Sequence, residues 1–239
     1  MLLRPLGHAT ADEGTAPAPD VLAHDGAVPS ASVVPFRELR DIGQFFSLSP
    51  TPLATGRDVT GLLEDPSVAI DLYADRLSTA RRDIAGSLFL QGWASRVGSI
   101  HLGCLALADG VPDLGPTNLT YRLPDVGPVE LALRDPGLHP AEGAWAALVD
   151  RHLGPLVEAV DEACGPGVRR LWGNVASALA GALVMLRRKG FAAAVDVPAE
   201  LANFGDWTGT RYRRRTCCNL FRVDGYGLCG DCVILRERR

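Results

Sequence analysis

The sequence predicts an α+β fold that is mainly helical, with a small antiparallel sheet and a C-terminal cysteine-rich segment. Long helical patterns dominate the chain, two short alternating stretches lie between turn residues, and four of the six cysteines fall within residues 217–232. With 239 residues, 47% hydrophobic and 22% charged, the chain is long enough to bury a large core without cross-links.

Six segments are predicted to be helical. They are residues 36–46 (a short helix or strand), Arg57–Glu64, Asp71–Ala108, Ala141–Cys164, Val168–Lys189 and Pro198–Phe204. The third segment is either one helix or two helices joined near residues 77–79, and Gly154-Pro155 must kink or split the fourth, because proline lacks the N–H of a helical hydrogen bond. Residues 118–122 and 129–134 alternate between apolar and polar types and are predicted to be strands.

Several residues inside the predicted helices are assigned to the core. Glycine costs about 1 kcal/mol relative to alanine in a helix, so Gly92 and Gly103 indicate a close approach of other helices. His101, Cys104 and Cys164 lie on or beside apolar stripes. We therefore predict that these three side chains are structural and take no part in a site.

The four remaining cysteines form the most informative motif. Cys217 and Cys218 are adjacent, and Cys229 and Cys232 follow, so the spacing is CC-x10-CxxC. Four thiolates this close can hold one metal centre, and thiolates select zinc, copper(I) or iron–sulfur clusters over hard cations. Adjacent residues of a strand point to opposite faces, so the backbone must turn at the first pair. Asn219 and the nearby glycines allow such a turn.

At these residues the chain resembles a known family, the FhuF-type siderophore-iron reductases. The likeness to the C-terminal signature of that family includes the CC-x10-CxxC spacing, the preceding Arg214 and Arg215, the turn at residues 225–227 and the Cys-Gly-Asp-Cys arm. These features together are more specific than the cysteine count alone.

Two weaker likenesses lie upstream of the cysteines. Residues 171–179, Leu-Trp-Gly-Asn-Val-Ala-Ser-Ala-Leu, resemble the long-helix signature of the same family, and residues 87–92, Ser-Leu-Phe-Leu-Gln-Gly, are similar to another of its segments. The sequence departs from the family at residues 219–221, where an aromatic pair or tyrosine is expected. Taken over all three segments, the resemblance extends over about residues 45–239.

The resemblance implies a cytoplasmic ferric-siderophore reductase in which Cys217, Cys218, Cys229 and Cys232 ligate a 2Fe-2S cluster. Siderophore oxygen ligands hold Fe(III) tightly and suit Fe(II) poorly, so one electron weakens the complex. Four cysteine ligands keep the potential of such a cluster low. The implied partners are a ferric siderophore and an external electron donor, either a ferredoxin or a flavoprotein.

Five further residues are candidates for substrate binding: Arg213, Arg214, Arg215, Trp172 and Asn174. The arginines lead directly into the first cysteines, where their charge would attract an anionic ligand or an acidic redox partner. Residues 211–239 hold eight arginines against three acidic residues, whereas the rest of the chain carries a net charge of −9. This acidic remainder would repel phosphates and argues against nucleic-acid binding.

Three regions follow from these observations. Residues 1–35 are rich in Ala, Pro and Gly without periodicity, which predicts a disordered tail. Residues 36–205 are predicted to form a helical and mixed substrate-binding domain, and residues 206–239 the 2Fe-2S cluster segment. The start of the chain lacks the apolar run of a signal peptide, and the clustered cysteines do not fit a disulfide scaffold. Both observations predict a reducing, cytoplasmic compartment.

Membrane and nucleotide sites are not expected. Residues 171–186 are apolar but shorter than the roughly 20 residues of a membrane span, so they predict a core helix and leave only peripheral association with a membrane. Residues 225–230 spell GxGxxG, but no βαβ unit surrounds them. We therefore predict no cofactor besides the cluster, and electrons must come from a partner.

Two alternatives of other classes remain open. One is a zinc-stabilised four-cysteine module that binds a siderophore or another anion without redox chemistry, and the other is an iron–sulfur redox sensor. A zinc module has no need for adjacent cysteines. A sensor is expected to carry a DNA-binding helix pair, and none is evident in the sequence.

Overall fold

The computed structural model describes residues 33–108, 110–191 and 199–236, and it has the predicted α+β fold. The helices are α1 (Phe36–Ile42), α2 (Val59–Glu64), α3 (Ser67–Arg76), α4 (Arg82–Leu107), α5 (Ala144–Leu148), α6 (Gly154–Cys164) and α7 (Val168–Arg188). The strands are β1 (Arg57–Asp58), β2 (Val111–Pro112), β3 (Leu119–Arg122), β4 (Glu130–Leu133), β5 (Leu138–His139), β6 (Gly205–Thr208) and β7 (Arg211–Arg214). Short 3-10 helices cover Ala199–Phe204, Leu220–Arg222 and Val233–Arg236.

Helix α4 is the centre of the fold, since most of its residues are buried on every side. It packs chiefly along α7 and against α3. The predicted close approaches at its glycines are confirmed. A Cβ atom at Gly103 would lie 2.6 Å from Leu39 Cδ2 of α1, and one at Gly92 would lie 2.6 Å from Tyr73 Oη of α3. Both neighbours occupy space that any larger side chain would need.

The predicted region at residues 71–108 is two helices, and the break lies at residues 77–81. Helix α3 begins at Ser67, before the predicted start, where the Asp65 carboxylate accepts a hydrogen bond from the Ser67 N–H (2.9 Å). The segment predicted as a helix from Arg57 begins instead with strand β1. Its two residues pair with Thr120 and Tyr121 of β3, and the helix starts only at Val59.

Residues 144–164 are helical throughout, and the predicted distortion at Gly154-Pro155 is a π-helical turn at Val149–Leu153. Proline cannot donate a backbone hydrogen bond, and its ring clashes with the carbonyl of Arg151, four residues earlier. The wider π turn makes room for that ring.

The two predicted strands are confirmed as β3 and β4, which form an antiparallel sheet in the order β1-β3-β4. Tyr121 pairs with Leu131 in this sheet and meets the ring of Trp93 edge-on, with centroids 5.3 Å apart. This contact seats the sheet on α4. Two further antiparallel pairs, β2–β5 and β6–β7, were not predicted.

Helix α7 is a core helix, as predicted from its apolar stripe. Leu171, Val175 and Leu179 are buried, whereas Val168, which the same periodicity places on the inner face, is 44% exposed at the start of the helix. Within residues 33–108, 110–191 and 199–236, no helix has both the length and the apolar content of a membrane span.

Most of the predicted N-terminal tail, residues 1–32, lies outside the described residues. The last residues of that predicted tail contact the fold. Val33 forms an isolated bridge with Gly137, and Val34 is buried and donates its N–H to the carbonyl oxygen of Pro136 (3.0 Å).

Two histidines are buried in the helical core. His101 meets the ring of Trp145 edge-on, which agrees with its predicted structural role. His152 Nε2 accepts a hydrogen bond from Trp93 Nε1 (2.8 Å), because an indole N–H can only donate, and Nδ1 therefore donates to the carbonyl oxygen of Leu114 (2.7 Å). Burial lowers the pKa of each histidine to about 4.

We expect the free energy of unfolding to fall as the pH drops from about 7 to about 4. Free histidine has a pKa of about 6.5, so between that value and the folded pKa of about 4 for His152 the unfolded chain binds more protons than the folded one. The contribution of neutral His152 to the free energy of unfolding is complete above pH ~6.5. It is lost as the pH falls from there to the folded pKa of about 4.

Urea unfolding followed by far-ultraviolet circular dichroism at pH 5 and 7.5 tests this expectation. In His152→Gln the amide can still accept from Trp93 and donate to Leu114 but does not titrate. The variant should lose less stability between the two pH values. An equal loss in the two proteins would contradict the prediction.

Candidate metal centre

Strands β6 and β7 form a hairpin that carries the chain from the helical core to the cysteines. Trp207 pairs with Tyr212 across the hairpin, and the two rings pack at 5.4 Å. The guanidinium of Arg187 near the end of α7 lies over the Trp207 ring, 4.6 Å from its centroid. The hairpin is thereby attached to α7, and Cys217 follows three residues after β7 ends.

The chain turns directly after the adjacent cysteines. Asn219 adopts a left-handed conformation (φ 61°), which asparagine tolerates better than most residues. The Asn219 N–H donates to Cys217 Sγ (3.4 Å), and the backbone of Leu220 hydrogen-bonds the Cys218 thiol. The predicted turn therefore directs two backbone N–H groups towards the two adjacent sulfurs.

Two of the four cysteine sulfurs are in hydrogen-bonding contact with each other and form no disulfide. Cys218 Sγ and Cys229 Sγ are 3.8 Å apart, which equals the separation of about 3.8 Å expected for two thiolates on one tetrahedral metal with bonds of about 2.3 Å. Cys217 lies close enough to Cys232 to interact with it electrostatically. Among the described residues, no group of three or more metal-ligating side chains converges on one point.

The electrostatics of the loop favour a thiolate at Cys218. Its hydrogen bond with Cys229 lowers the pKa of Cys218 to about 6, against the effect of burial, and the same bond raises the pKa of Cys229. Burial raises the pKa of Cys217. The positive charge of Arg214 acts to lower the pKa of all three thiols.

Arg214 is fully buried beneath the cysteine loop. Its Nε donates to Asp231 Oδ2 (3.0 Å), and its Nη1 donates to Asn174 Oδ1 (2.7 Å). Its Nη2 donates to Ser177 Oγ, which in turn donates to Asp231 Oδ2 (2.6 Å). Burial opposes the charge of Arg214, but Asp231 and the thiolates of Cys218 and Cys229 outweigh it, so its pKa is raised.

Helices α4 and α7 supply further hydrogen bonds to the side chains that hold Arg214. Asn174 Nδ2 donates to the carbonyl oxygen (2.8 Å) and to Oγ (2.6 Å) of Ser87 on α4. Gln91, one turn further along α4, donates to Ser177 Oγ (3.4 Å). The cysteine loop is therefore connected through Arg214 to the two longest helices.

No family model matches this chain, and neither does any of the curated proteins. The resemblance to the FhuF-type reductases therefore rests on the residues of the chain itself. The three similar segments, residues 87–92, 171–179 and 214–232, are far apart in sequence. Ser87 and Gln91 hydrogen-bond Asn174 and Ser177, and Arg214 hydrogen-bonds the same two side chains.

Three of the predicted substrate residues have part of their side chains accessible. Arg213 is half-buried and its Nη1 donates to the carbonyl oxygens of Gly230 (3.5 Å) and Cys232 (3.4 Å) of the cysteine loop. Arg215 is exposed and pairs with Asp206. Trp172 is half-buried and lines a different cavity of about 320 Å³, which no residue of the cysteine loop lines.

The structure buries the other two predicted substrate residues, Arg214 and Asn174. The side chains of Arg214 and Asn174 have no exposed surface, and their polar atoms are taken up by each other and by neighbouring residues. Neither can contact a substrate in this arrangement. Both instead hold the cysteine loop on the helices.

Sequence reasoning missed three residues of this network. Ser87 and Ser177 stand within the two weaker resemblances, and Asp231 stands inside the Cys-Gly-Asp-Cys arm. An acidic residue between two candidate ligand cysteines is a signal, because an anion that is partly buried there needs a cationic partner. Arg214 is that partner.

Gly173 is expected to be intolerant of any side chain, because α7 meets the cysteine segment there. A Cβ atom at Gly173 would overlap Thr216 Oγ1 and lie 2.9 Å from Thr216 Cβ, next to the first cysteine. Overpacking of this kind costs about 1–3 kcal/mol. Gly173→Ala should therefore lower the free energy of unfolding by roughly that amount.

The matched control is Gly181→Ala on the same helix, where a Cβ atom meets nothing within 4 Å. Alanine there should be neutral or stabilise the helix by up to about 1 kcal/mol. Thr216→Ala should partly rescue Gly173→Ala, since the buried Thr216 Oγ1 has no hydrogen-bond partner to lose. Urea unfolding measures all four proteins, and equal stability of the two glycine variants would contradict the expectation.

Proposed function

We propose that the protein is a cytoplasmic ferric-siderophore reductase. One electron from an external carrier reduces siderophore-bound Fe(III) to Fe(II), and the siderophore then releases the metal because its hard oxygen ligands suit Fe(II) poorly. The observation that carries the proposal is the hydrogen-bond network that joins the three family-like segments, in which Arg214 binds Asn174, Ser177 and Asp231 close to the cysteine pair in sequence. When bound, a four-cysteine 2Fe-2S cluster supplies low-potential one-electron chemistry.

The arrangement of the sulfurs supports a binuclear cluster over a single zinc ion. Each iron of a 2Fe-2S cluster takes two protein ligands, whereas zinc takes four around one point. Cys218 and Cys229 are at the separation of one such pair, and Cys217, which Cys232 influences electrostatically, would supply the second pair together with Cys232. Zinc would require both pairs to converge.

The buried charge of Arg214 supports a redox role for the segment. A guanidinium that interacts with Cys218 and Cys229 in a dry environment stabilises added negative charge on the groups that these sulfurs bind. The backbone N–H groups of Asn219 and Leu220 act in the same direction. The chain thus provides donors and a cation where an added electron would reside.

The surface of the loop between the cysteine pairs fits contact with a donor protein. Phe221, Tyr226 and Leu228 are 39%, 43% and 36% exposed, and Arg222 lies over the Phe221 ring. Apolar side chains exposed together beside a positive charge are typical of interaction sites on soluble proteins. An acidic one-electron carrier has the complementary character.

Reoxidation kinetics test the proposal. The protein is purified without oxygen from iron-replete cells, reduced with dithionite, freed of excess reductant and mixed with a panel of ferric siderophores. We expect a red-brown protein whose colour is bleached on reduction and returns on mixing, with Fe(II) captured by a specific chelator. A colourless protein that contains zinc would support the anion-binding module. A coloured protein that no ferric siderophore reoxidises would support the sensor.

We expect the purified protein alone not to oxidise NADPH in the presence of a ferric siderophore. The sequence carries no nucleotide-binding fingerprint of the βαβ or P-loop type, so electrons must arrive from a separate carrier. Addition of a ferredoxin or flavodoxin with its reductase should restore turnover. NADPH consumption at 340 nm by the isolated, flavin-free protein would contradict this prediction.

A further inference from the structure

A groove beside the cysteine loop is lined by several arginines and is large enough for a small molecule. Its walls are the C-terminal half of α7, strand β7 and residues 230–231 of the cysteine loop. Its volume is about 450 Å³, within the range of about 300–1,000 Å³ that small-molecule sites occupy.

Three arginines line this groove: Arg188 from α7, and Arg211 and Arg213 from β7. In the described part of the chain, none of the three forms an ion pair with an acidic side chain. Asp231 also lines the groove, but its carboxylate is held by Arg214 and Ser177. The net charge of the groove wall is therefore positive.

The groove becomes apolar away from the cysteines. It adjoins a second cavity of about 390 Å³, and the two share Ser177, Gly181 and Met185 as lining residues. Phe45 and Ala178 line the second cavity. The combined depression has a cationic end at the cysteine loop and an apolar end towards α1.

We infer that this groove binds the ferric siderophore, and that it selects complexes of net negative charge over neutral ones. The inference rests on the proposed function, since the ligand is its substrate. Three catecholates outweigh the charge of Fe(III), and citrate-type carboxylates do so as well, whereas three hydroxamates only neutralise it. The charges of Arg188, Arg211 and Arg213, which pair with no acidic side chain among the described residues, favour the anionic class, and the apolar end accommodates the ligand backbone.

The position of the groove also suits electron transfer. Gly230 and Asp231 are part of its wall, and they lie between Cys229 and Cys232. A chelate seated against Arg211 and Arg213 therefore touches the loop that carries two of the four cysteines.

Binding of gallium complexes tests the inference without electron transfer, because Ga(III) replaces Fe(III) but is not reduced. Isothermal titration of the anaerobically purified protein compares the anionic Ga(III) tris-catecholate with the neutral Ga(III) trihydroxamate. We expect the anionic complex to bind at least tenfold more tightly. Arg188→Gln and Arg211→Gln should each weaken its binding about fivefold, the effect of losing roughly 1 kcal/mol.

Arg169→Gln is the matched control, because Arg169 is exposed on the same helix but about 28 Å from Arg188 at 1.5 Å per residue. Its affinity should equal that of the parent. Three results would overturn the groove assignment. They are equal affinity of the parent for the two gallium complexes, affinities for the anionic complex that are the same in Arg188→Gln, Arg211→Gln and Arg169→Gln, and no binding of either complex. The reductase proposal would survive if ferric complexes were still reduced. If the protein binds the anionic gallium complex selectively but does not reduce the ferric complexes, the groove remains the binding site and the reductase proposal is refuted.

Discussion

Replacement of Cys218 by serine is expected to abolish the visible absorption of the protein and its bound iron. Cys218 is buried, it is 3.8 Å from the Cys229 sulfur, and the hydrogen bond with Cys229 lowers its pKa to about 6. A serine hydroxyl at this position is a harder ligand that keeps its proton. The parent protein should contain about two irons per chain, the content of one 2Fe-2S cluster.

Iron analysis and visible spectra of anaerobically purified proteins measure the effect. Cys104→Ala and Cys164→Ala are the controls, because Cys104 is buried inside α4 and the Cys164 thiol only donates to the carbonyl oxygen of Val160 (3.2 Å). Both should keep the full iron content. Iron retained in Cys218→Ser, or lost in either control, would show that the ligand set is wrong.

Arg214→Met should lower the stability of the protein strongly. The variant leaves Asp231, Asn174 and Ser177 without their shared donor, and the Asp231 side chain keeps some exposure (21%). Removal of one partner from a buried ion pair costs about 3–5 kcal/mol, and we expect the lower end of that range here. At about 2–4 °C per kcal/mol for a chain of this size, the melting temperature should fall by roughly 10 °C.

The neighbouring Arg215 provides the control for this change. Arg215 pairs with Asp206 at the surface, where the two side chains are 44% and 34% exposed, and such pairs contribute less than about 1 kcal/mol. Arg215→Gln should therefore melt within a few degrees of the parent. The double variant Arg214→Met/Asp231→Asn should lose less than the sum of the single changes, because neither partner is then left charged and buried. Equal melting temperatures for the Arg214 and Arg215 variants would refute the structural role of Arg214.

The helical core could be predicted because its pattern is long and regular. Helices α4 and α7 each repeat apolar residues over many turns, and the alternation in β3 and β4 is bounded by turn residues. The β6–β7 hairpin carries no such pattern. Its buried side chains on β7 are Tyr212 and Arg214, and an arginine does not register as a core residue in any hydrophobic periodicity.

At the candidate site, features set by neighbouring residues could be predicted, whereas contacts between distant residues could not. The turn at Asn219 and the spacing of the cysteines are local, and both could be predicted from neighbouring residues. Arg214 was predicted to contact a ligand because its charge leads directly into the first cysteines, and Asn174 because it lies two residues from Trp172 and could line a pocket. Their partners lie elsewhere in the chain: the two residues bind each other across 40 positions, and Asn174 binds Ser87 across 87. Only the packing of α4 against α7 brings these groups together.

The order of these parts along the chain has a consequence for how the protein is made. Ser87, Asn174 and Ser177 are synthesised before Arg214 and the cysteines, so the receiving surface on the helices precedes the segment that docks on it. Until residue 214 leaves the ribosome, these helices present a polar notch with no guanidinium to fill it. Docking of the cysteine segment is therefore a late step of folding during synthesis, because the surface that receives it is complete before the segment itself is made.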